Sequence, residues 1–90
     1  MPTIHLLIQG KVQGVFYRAS AKEVALALSL TGWVRNTDEG HVEAIASGTD
    51  SALQKFVDWC NKGPEKAIVT NVQVTQMEEE TFKSFQIRRD

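Results

Sequence analysis

The sequence is poor in the residues that build disulfides and metal sites. It has one cysteine in 90 residues, Cys60, which excludes an internal disulfide and any CxxC metal or redox motif. Only His5 and His41 join it as soft or borderline ligands, so we expect no metal and no other cofactor. The first apolar run follows no basic segment and is too short for a signal peptide or a membrane span.

An excess of positive charge is also missing. Ten Lys and Arg oppose eleven Asp and Glu, for a net charge of -1. Proteins that bind nucleic acid or anionic membranes generally carry a basic excess, so we expect neither partner. The hydrophobic content of 42% is close to the globular average and can form a core. We expect one domain over residues 1–90 that acts in the cytoplasm as a monomer.

What the sequence does contain is a switch between strand and helix periodicity. Alternating patterns predict five strands, at residues 3–9, 33–36, 41–47, 68–77 and 85–87. A helical pattern runs from about residue 19 to residue 30, and Gly32 follows as a stop signal. A second helix precedes Gly63-Pro64. The segment Gly48-Thr49-Asp50-Ser51 supplies candidates for its N-cap, and Ser51 with Gln54 has the spacing of a capping box.

The resulting order is β-α-β-β-α-β with a terminal strand. Both helices need an apolar surface, and each strand offers one apolar face. We therefore predict an α+β fold, a ferredoxin-like βαββαβ sandwich with a mainly antiparallel sheet and two helices on one face. The first strand is then central, so the loop that leaves it reaches the middle of the sheet and the start of the first helix.

That loop has the composition of an anion site. Residues 10–18 are GKVQGVFYR, and Gly10 and Gly14 permit backbone angles that let N–H groups converge. Arg18 stands at the helix start, where a cation opposes the helix dipole by roughly 0.3–1 kcal/mol unless an anion is bound. Its planar guanidinium matches phosphate or carboxylate oxygens. Taken alone, the loop is also compatible with a tight connection and a solvated arginine.

Asn36 ends the second strand, just before a polar turn. Its amide both donates and accepts hydrogen bonds, so it can hold a water molecule against an electrophile. Asparagine is also favoured at turn starts for reasons unrelated to function.

Together the two segments resemble the two signature motifs of the acylphosphatase family. Residues 8–18 are similar to apolar-x-Gly-x-Val-Gln-Gly-Val-x-aromatic-Arg. Residues 32–48 are similar to Gly-aromatic-Val-basic-Asn-x-x-x-Gly-x-Val-x-x-x-x-x-Gly. The length and element order are similar too, so the resemblance spans nearly the whole chain. One departure is Tyr17, at a position that the family usually fills with Phe or Met.

The resemblance implies hydrolysis of acyl phosphates to a carboxylate and inorganic phosphate, which is also an expected inhibitor. Arg18 and the backbone N–H groups of the loop would bind the phosphoryl group, and Asn36 would orient the attacking water. The loop residues concerned are Gln13, Gly14, Val15, Phe16, Tyr17 and Arg18. A carboxylate leaves readily, so positioning and charge stabilisation suffice and no metal is needed.

Two other functions fit the same element order. An RNA-binding module of the RRM type would need aromatic residues on the third strand, but residues 41–47 have none and Glu43 would repel phosphate. A non-catalytic phosphate- or carbamoyl-phosphate-binding module would not need Asn36. Two smaller expectations are that His5 and His41 face each other across neighbouring strands and that Cys60 is a small buried hydrophobic residue.

Overall fold

The computed structural model describes residues 1–89 and contains the predicted elements in the predicted order. The strands and helices are β1 (Thr3–Lys11), α1 (Tyr17–Ala27), β2 (Thr31–Asn36), β3 (Val42–Ser47), α2 (Asp50–Lys62), β4 (Ile68–Met77) and β5 (Phe85–Arg88). Neither helix in this part of the chain combines the length and the apolar character that crossing a bilayer requires.

The five strands form one sheet in the order β4-β1-β3-β2-β5. Three of the four neighbouring pairs are antiparallel, and β2 pairs with β5 in parallel. The alternate residues Ile4, Leu6 and Ile8 of β1 are buried, as the period-2 pattern predicts. They share one core with Ala21 of α1 and Phe56 of α2, so both helices cover the same face. The predicted ferredoxin-like fold is confirmed.

The first helix is displaced from its predicted bounds. It begins at Tyr17 rather than near residue 19, and it ends at Ala27 rather than near residue 30. Ser29 stops it by adopting a left-handed conformation with φ 59°. Hydrogen bonds from Ser29 N to Leu26 O (3.1 Å) and from Leu30 N to Ala25 O (2.9 Å) form a Schellman motif. A serine thus occupies the left-handed position after the helix, where glycine is usual. The sequence pattern therefore does not reveal this helix end.

The cap of the second helix is one of the predicted candidates, but the predicted capping box of Ser51 and Gln54 does not form. Thr49 is the N-cap, and its Oγ1 accepts a hydrogen bond of 3.2 Å from Ala52 N. Ser51 lies inside the helix, and the Gln54 side chain donates to Asp58 Oδ1 at 3.0 Å instead of closing a capping box. The helix ends at Gly63, as predicted, with φ 70°.

Candidate active site

The loop between β1 and α1 has an unusual backbone. Gly14 has φ 74°, and a Cβ placed there would meet nothing within 4 Å, so its backbone angle rather than crowding favours glycine. Phe16 also lies in the left-handed region, with φ 63° and ψ 25°. A bulky residue there costs about 1–3 kcal/mol and persists only when the surrounding structure holds it. The loop is therefore fixed in a shape that the local sequence does not favour.

The first turn of α1 has neither a side-chain cap nor a negative charge of its own. Phe16 is its N-cap and supplies no side-chain hydrogen bond, and the turn contains no acidic residue. Ser20 N donates to the carbonyl of the N-cap, Phe16 O, at 3.1 Å, as an i to i−4 bond at the start of the helix. The N–H groups before it lack a partner within the helix, as at any helix start. Arg18 is the second residue of the helix and faces the cavity described next.

Arg18 and Asn36, from different parts of the chain, line the same cavity. Its volume is about 260 Å³, well above the ~30 Å³ share of one water molecule. Its lining consists of Val12, Gly14, Phe16, Tyr17, Arg18, Ala19, Asn36, Ile87 and Arg89. A second cavity of about 280 Å³ is lined by Arg18, Asn36, Thr37, Asp38, Arg88 and Arg89. Three residues, Arg18, Asn36 and Arg89, thus take part in both cavities.

The side-chain oxygen of Asn36 lacks a hydrogen-bond donor within the described part of the chain. Its Oδ1 is buried and has no hydrogen-bond partner among residues 1–89. Buried polar atoms are nearly always paired, so such an atom in a cavity wall marks the place of a donor such as water. β2 ends at this residue, which is why the side chain lies at the end of the strand.

Gln13 joins the loop to the turn that follows Asn36. Its Nε2 donates to Thr37 O and to His41 O, each at 2.9 Å. The same turn is closed by a hydrogen bond of 2.9 Å from Thr37 N to His41 O. The Gln13 side chain is thus used in a contact between two segments, and Gln13 does not line either cavity. Val15 likewise packs into the core instead of lining the cavity.

Tyr17 resolves the one departure from the family motif. Its ring is 2% exposed and lies 5.2 Å from the ring of Trp59, centroid to centroid. Its hydroxyl donates to Cys60 O at 2.7 Å, a carbonyl in the last turn of α2 that lacks a helical partner. Burial raises the pKa of Tyr17 far above its usual value, so this hydroxyl remains a donor. The extra oxygen therefore links the two helices.

Cys60 is fully buried on the inner face of α2, as the sequence predicts. Burial raises the pKa of its thiol to about 12, even though the Tyr17 hydroxyl acts in the opposite direction. A buried, protonated thiol is a packing group rather than a nucleophile.

The expected pairing of His5 with His41 is wrong. The register of β1 on β3 places His5 opposite Ile45, four residues beyond His41, which corresponds to about 13 Å along a strand. His5 Nε2 lies 2.7 Å from Glu43 Oε2 instead, and Arg35 Nε donates to Glu43 Oε1 at 2.7 Å. This cluster is on the sheet face away from the helices and outside the cavity.

Among the lining residues of the first cavity that the sequence did not predict, Ile87 and Arg89 are the two that lie far in sequence from both motifs. Their orientation can be derived from β5, because the fully buried Phe85 shows which face of this strand is directed toward the core. Residues two apart in a strand share a face, so Ile87 points the same way, and Arg89 continues this parity just beyond the strand. The parity is readable in the sequence, but the pairing of β5 beside β2 is not.

Comparison with known proteins gives one consistent result. A family model described as acylphosphatase matches residues 4–87. An acylphosphatase of Haloquadratum walsbyi is 45% identical over 85 residues, which is 94% of this chain and 91% of the relative. The structure of an acylphosphatase from Coxiella burnetii superimposes with a TM-score of 0.94 at 39% identity, covering 97% of this chain and 92% of the other. The structure of acylphosphatase from Bacillus subtilis superimposes with a TM-score of 0.95 at 36% identity. It covers 98% of this chain and 99% of the other.

Proposed function

Since the chain belongs to the acylphosphatase family and hydrolyses the carboxyl–phosphate bond of acyl phosphates, we propose that Arg18 and the loop amides bind the phosphoryl group and that Asn36 orients the attacking water. The observation that carries this assignment is that Asn36, whose buried Oδ1 has no hydrogen-bond partner among residues 1–89, lines the same cavity as Arg18.

The phosphoryl site combines three sources of positive potential. Arg18 offers a charged, planar fork for two oxygens. The first turn of α1 offers N–H groups that no side chain caps and the positive end of its dipole. The left-handed backbone angles of Gly14 and Phe16 turn the loop so that its N–H groups can converge on an anion. A bound phosphoryl group also removes the conflict between Arg18 and the helix dipole.

Asn36 performs a different task. A neutral amide neither attracts the phosphoryl dianion strongly nor takes a proton from water. It accepts a hydrogen bond from the water and thereby fixes the direction of a lone pair toward phosphorus. Attack with the incoming and leaving oxygens roughly in line then expels the carboxylate.

These few groups suffice because the leaving group is already stable. A carboxylate needs no strong general acid, and most of the catalysis of phosphoryl transfer comes from positioning and electrostatic stabilisation. The phosphoryl charge is matched by Arg18 and by N–H groups that are oriented before the reaction. Gln13 holds the loop against the turn after Asn36, and so keeps the two halves of the site in register.

We also propose that a single domain over residues 1–90 is the working unit, as a cytoplasmic monomer without a nucleic-acid partner. The net charge of -1 supports the absence of a nucleic-acid partner, because such proteins generally carry a basic excess. The middle strands β1 and β3 have no aromatic residue on which bases could stack, and on the open face Glu43 is paired with His5 and Arg35. Light scattering after gel filtration, at several protein concentrations, tests the monomer.

Hydrolysis of benzoyl phosphate by the purified protein tests the assignment of roles. Arg18→Ala is expected to raise KM and lower kcat, and Arg18→Lys to restore little because the fork is lost. Asn36→Ala is expected to lower kcat with a much smaller change in KM. Equal effects of both variants on KM would contradict the separate roles. Circular dichroism confirms that each variant is folded.

A further inference from the structure

Arg89 and Asn36 lie at the ends of two neighbouring strands and line the same two cavities. The parallel register of β2 and β5 pairs Val34 with Ile87 and Arg35 with Arg88. Asn36 and Arg89 each follow directly after the last pair of this register. Asn36 has the parity of the buried Val34 and so belongs to the same face of the sheet. Neighbouring strands lie about 4.8 Å apart, and both residues line both cavities.

The first cavity has an unbalanced charge. Among residues 1–89, its lining includes the guanidinium groups of Arg18 and Arg89 and no carboxylate. The second cavity adds Arg88 and one acidic residue, Asp38. The guanidinium carbon of Arg88 lies 4.7 Å from the centroid of the Trp33 ring, so its charge is engaged there. Within the described part of the chain, Arg18 and Arg89 are the two cationic residues that line the first cavity.

The direction of the reaction places the acyl group near the mouth of the cavity. Asn36 Oδ1 is buried, so a water held by it attacks from the inner side. The leaving carboxyl oxygen lies roughly opposite the attacking water, and so the acyl group projects outward. Arg89 is exposed, and Ile87, on the same face, offers apolar contact to the carbon chain.

We propose that Arg89 is a specificity-determining residue that binds a second negative charge at the far end of the acyl group. The preferred substrates are then acyl phosphates of dicarboxylic acids over those of uncharged acids of equal length. This inference rests on the proposed roles of Arg18 and Asn36. Asp38 lines only the second cavity and repels a carboxylate there, which favours the side of the first cavity.

The test compares succinyl phosphate with butyryl phosphate, which have equally long acyl chains and differ by one terminal carboxylate. The quantity measured is the ratio of their kcat/KM values at low salt, in the wild type and in Arg89→Gln. Because an exposed charge pair is worth up to about 1 kcal/mol, the ratio is expected to fall about fivefold in the variant. It is also expected to fall in the wild type as salt is added. Lys55→Gln, which removes one exposed positive charge from α2, is the matched control and should keep the wild-type ratio.

An unchanged ratio in Arg89→Gln would overturn the inference. If kcat/KM then falls equally for both substrates and inhibition by inorganic phosphate weakens as well, Arg89 acts on the phosphoryl group instead. Failure of the proposed function is recognised separately, because folded Arg18→Ala would then still be inhibited by phosphate as the wild type is.

Discussion

The side-chain amide of Gln13 donates a hydrogen bond of 2.9 Å to the carbonyl of Thr37, the residue that follows Asn36. A second bond of 2.9 Å from the same nitrogen reaches the carbonyl of His41. One side chain thus connects the loop that would bind phosphate with the turn that carries Asn36. The contact explains how two segments 24 residues apart in the sequence can keep a fixed geometry.

Gln13→Met is expected to lower kcat about tenfold, because it keeps the size of the side chain but removes both donors. A small displacement of a catalytic group is enough for such a loss. The free energy of unfolding should fall by about 1–3 kcal/mol, since two carbonyls lose a partner. Gln54→Met, at an exposed position of α2, is the matched control and should retain kcat. A wild-type kcat in folded Gln13→Met would show that the contact does not position Asn36.

Tyr17→Phe is expected to reduce the free energy of unfolding by about 1–3 kcal/mol, because it leaves the buried Cys60 carbonyl without its donor. The ring contact with Trp59 is retained, so the change isolates the hydroxyl. Urea unfolding followed by tryptophan fluorescence measures it. An unchanged stability would show that the carbonyl finds another donor in the folded state.

The cluster on the open face predicts a pH dependence of stability. Partial burial raises the pKa of Glu43, but the hydrogen bonds from His5 and Arg35 outweigh this and hold it below its ordinary value. A lowered folded-state pKa stabilises the fold above the unfolded-state pKa, and this contribution disappears as the pH falls through the folded-state value.

Glu43→Gln should therefore be less stable than the wild type at pH 6, and the difference should shrink as the pH is lowered from about 5. Glu65→Gln, at an exposed position, serves as the control and should follow the wild type at each pH. Thermal melts across this range measure both differences. A Glu43→Gln difference that stayed constant down to pH 2 would exclude the carboxylate as its source.

Dialysis against EDTA is expected to leave hydrolysis of benzoyl phosphate unchanged. Among residues 1–89, no group of three or more His, Cys, Asp or Glu is placed to hold a metal ion. In the proposed mechanism, Arg18 and the loop amides supply the positive charge. Activity lost on chelation and regained with magnesium would contradict the mechanism.

Much of the fold was predictable because burial imposes its period on the sequence. The alternation of Ile4, Leu6 and Ile8 and the stripe of Leu53, Phe56 and Cys60 both survive as buried faces. The ends of helices were harder to predict, because they depend on single residues. Ser29 adopts a conformation that glycine usually signals, and Thr49 caps α2 where a nearby serine matched the motif better.

The proposed site was predictable only where it is local in sequence. The loop around Gly14 and the end of β2 carry motifs, and the fold brings them to one cavity. Gln13 and Arg89 contribute through contacts that are distant in sequence, to the turn after Asn36 and across the β2–β5 register. Such contacts depend on strand order, which the spacing of residues does not encode.

The central claim is that Arg18 binds the phosphoryl group whereas Asn36 holds only the water, and phosphate binding by Asn36→Ala tests it most directly. A ligand that binds only the folded state raises thermal stability, so phosphate-dependent melting and competitive inhibition report the binding. Folded Asn36→Ala is expected to keep the phosphate-dependent shift of the wild type while its kcat falls roughly 10²–10³-fold, whereas Arg18→Ala should lose the shift. If Asn36→Ala loses phosphate binding as completely as Arg18→Ala, then Asn36 binds the ligand and the water-positioning role is contradicted.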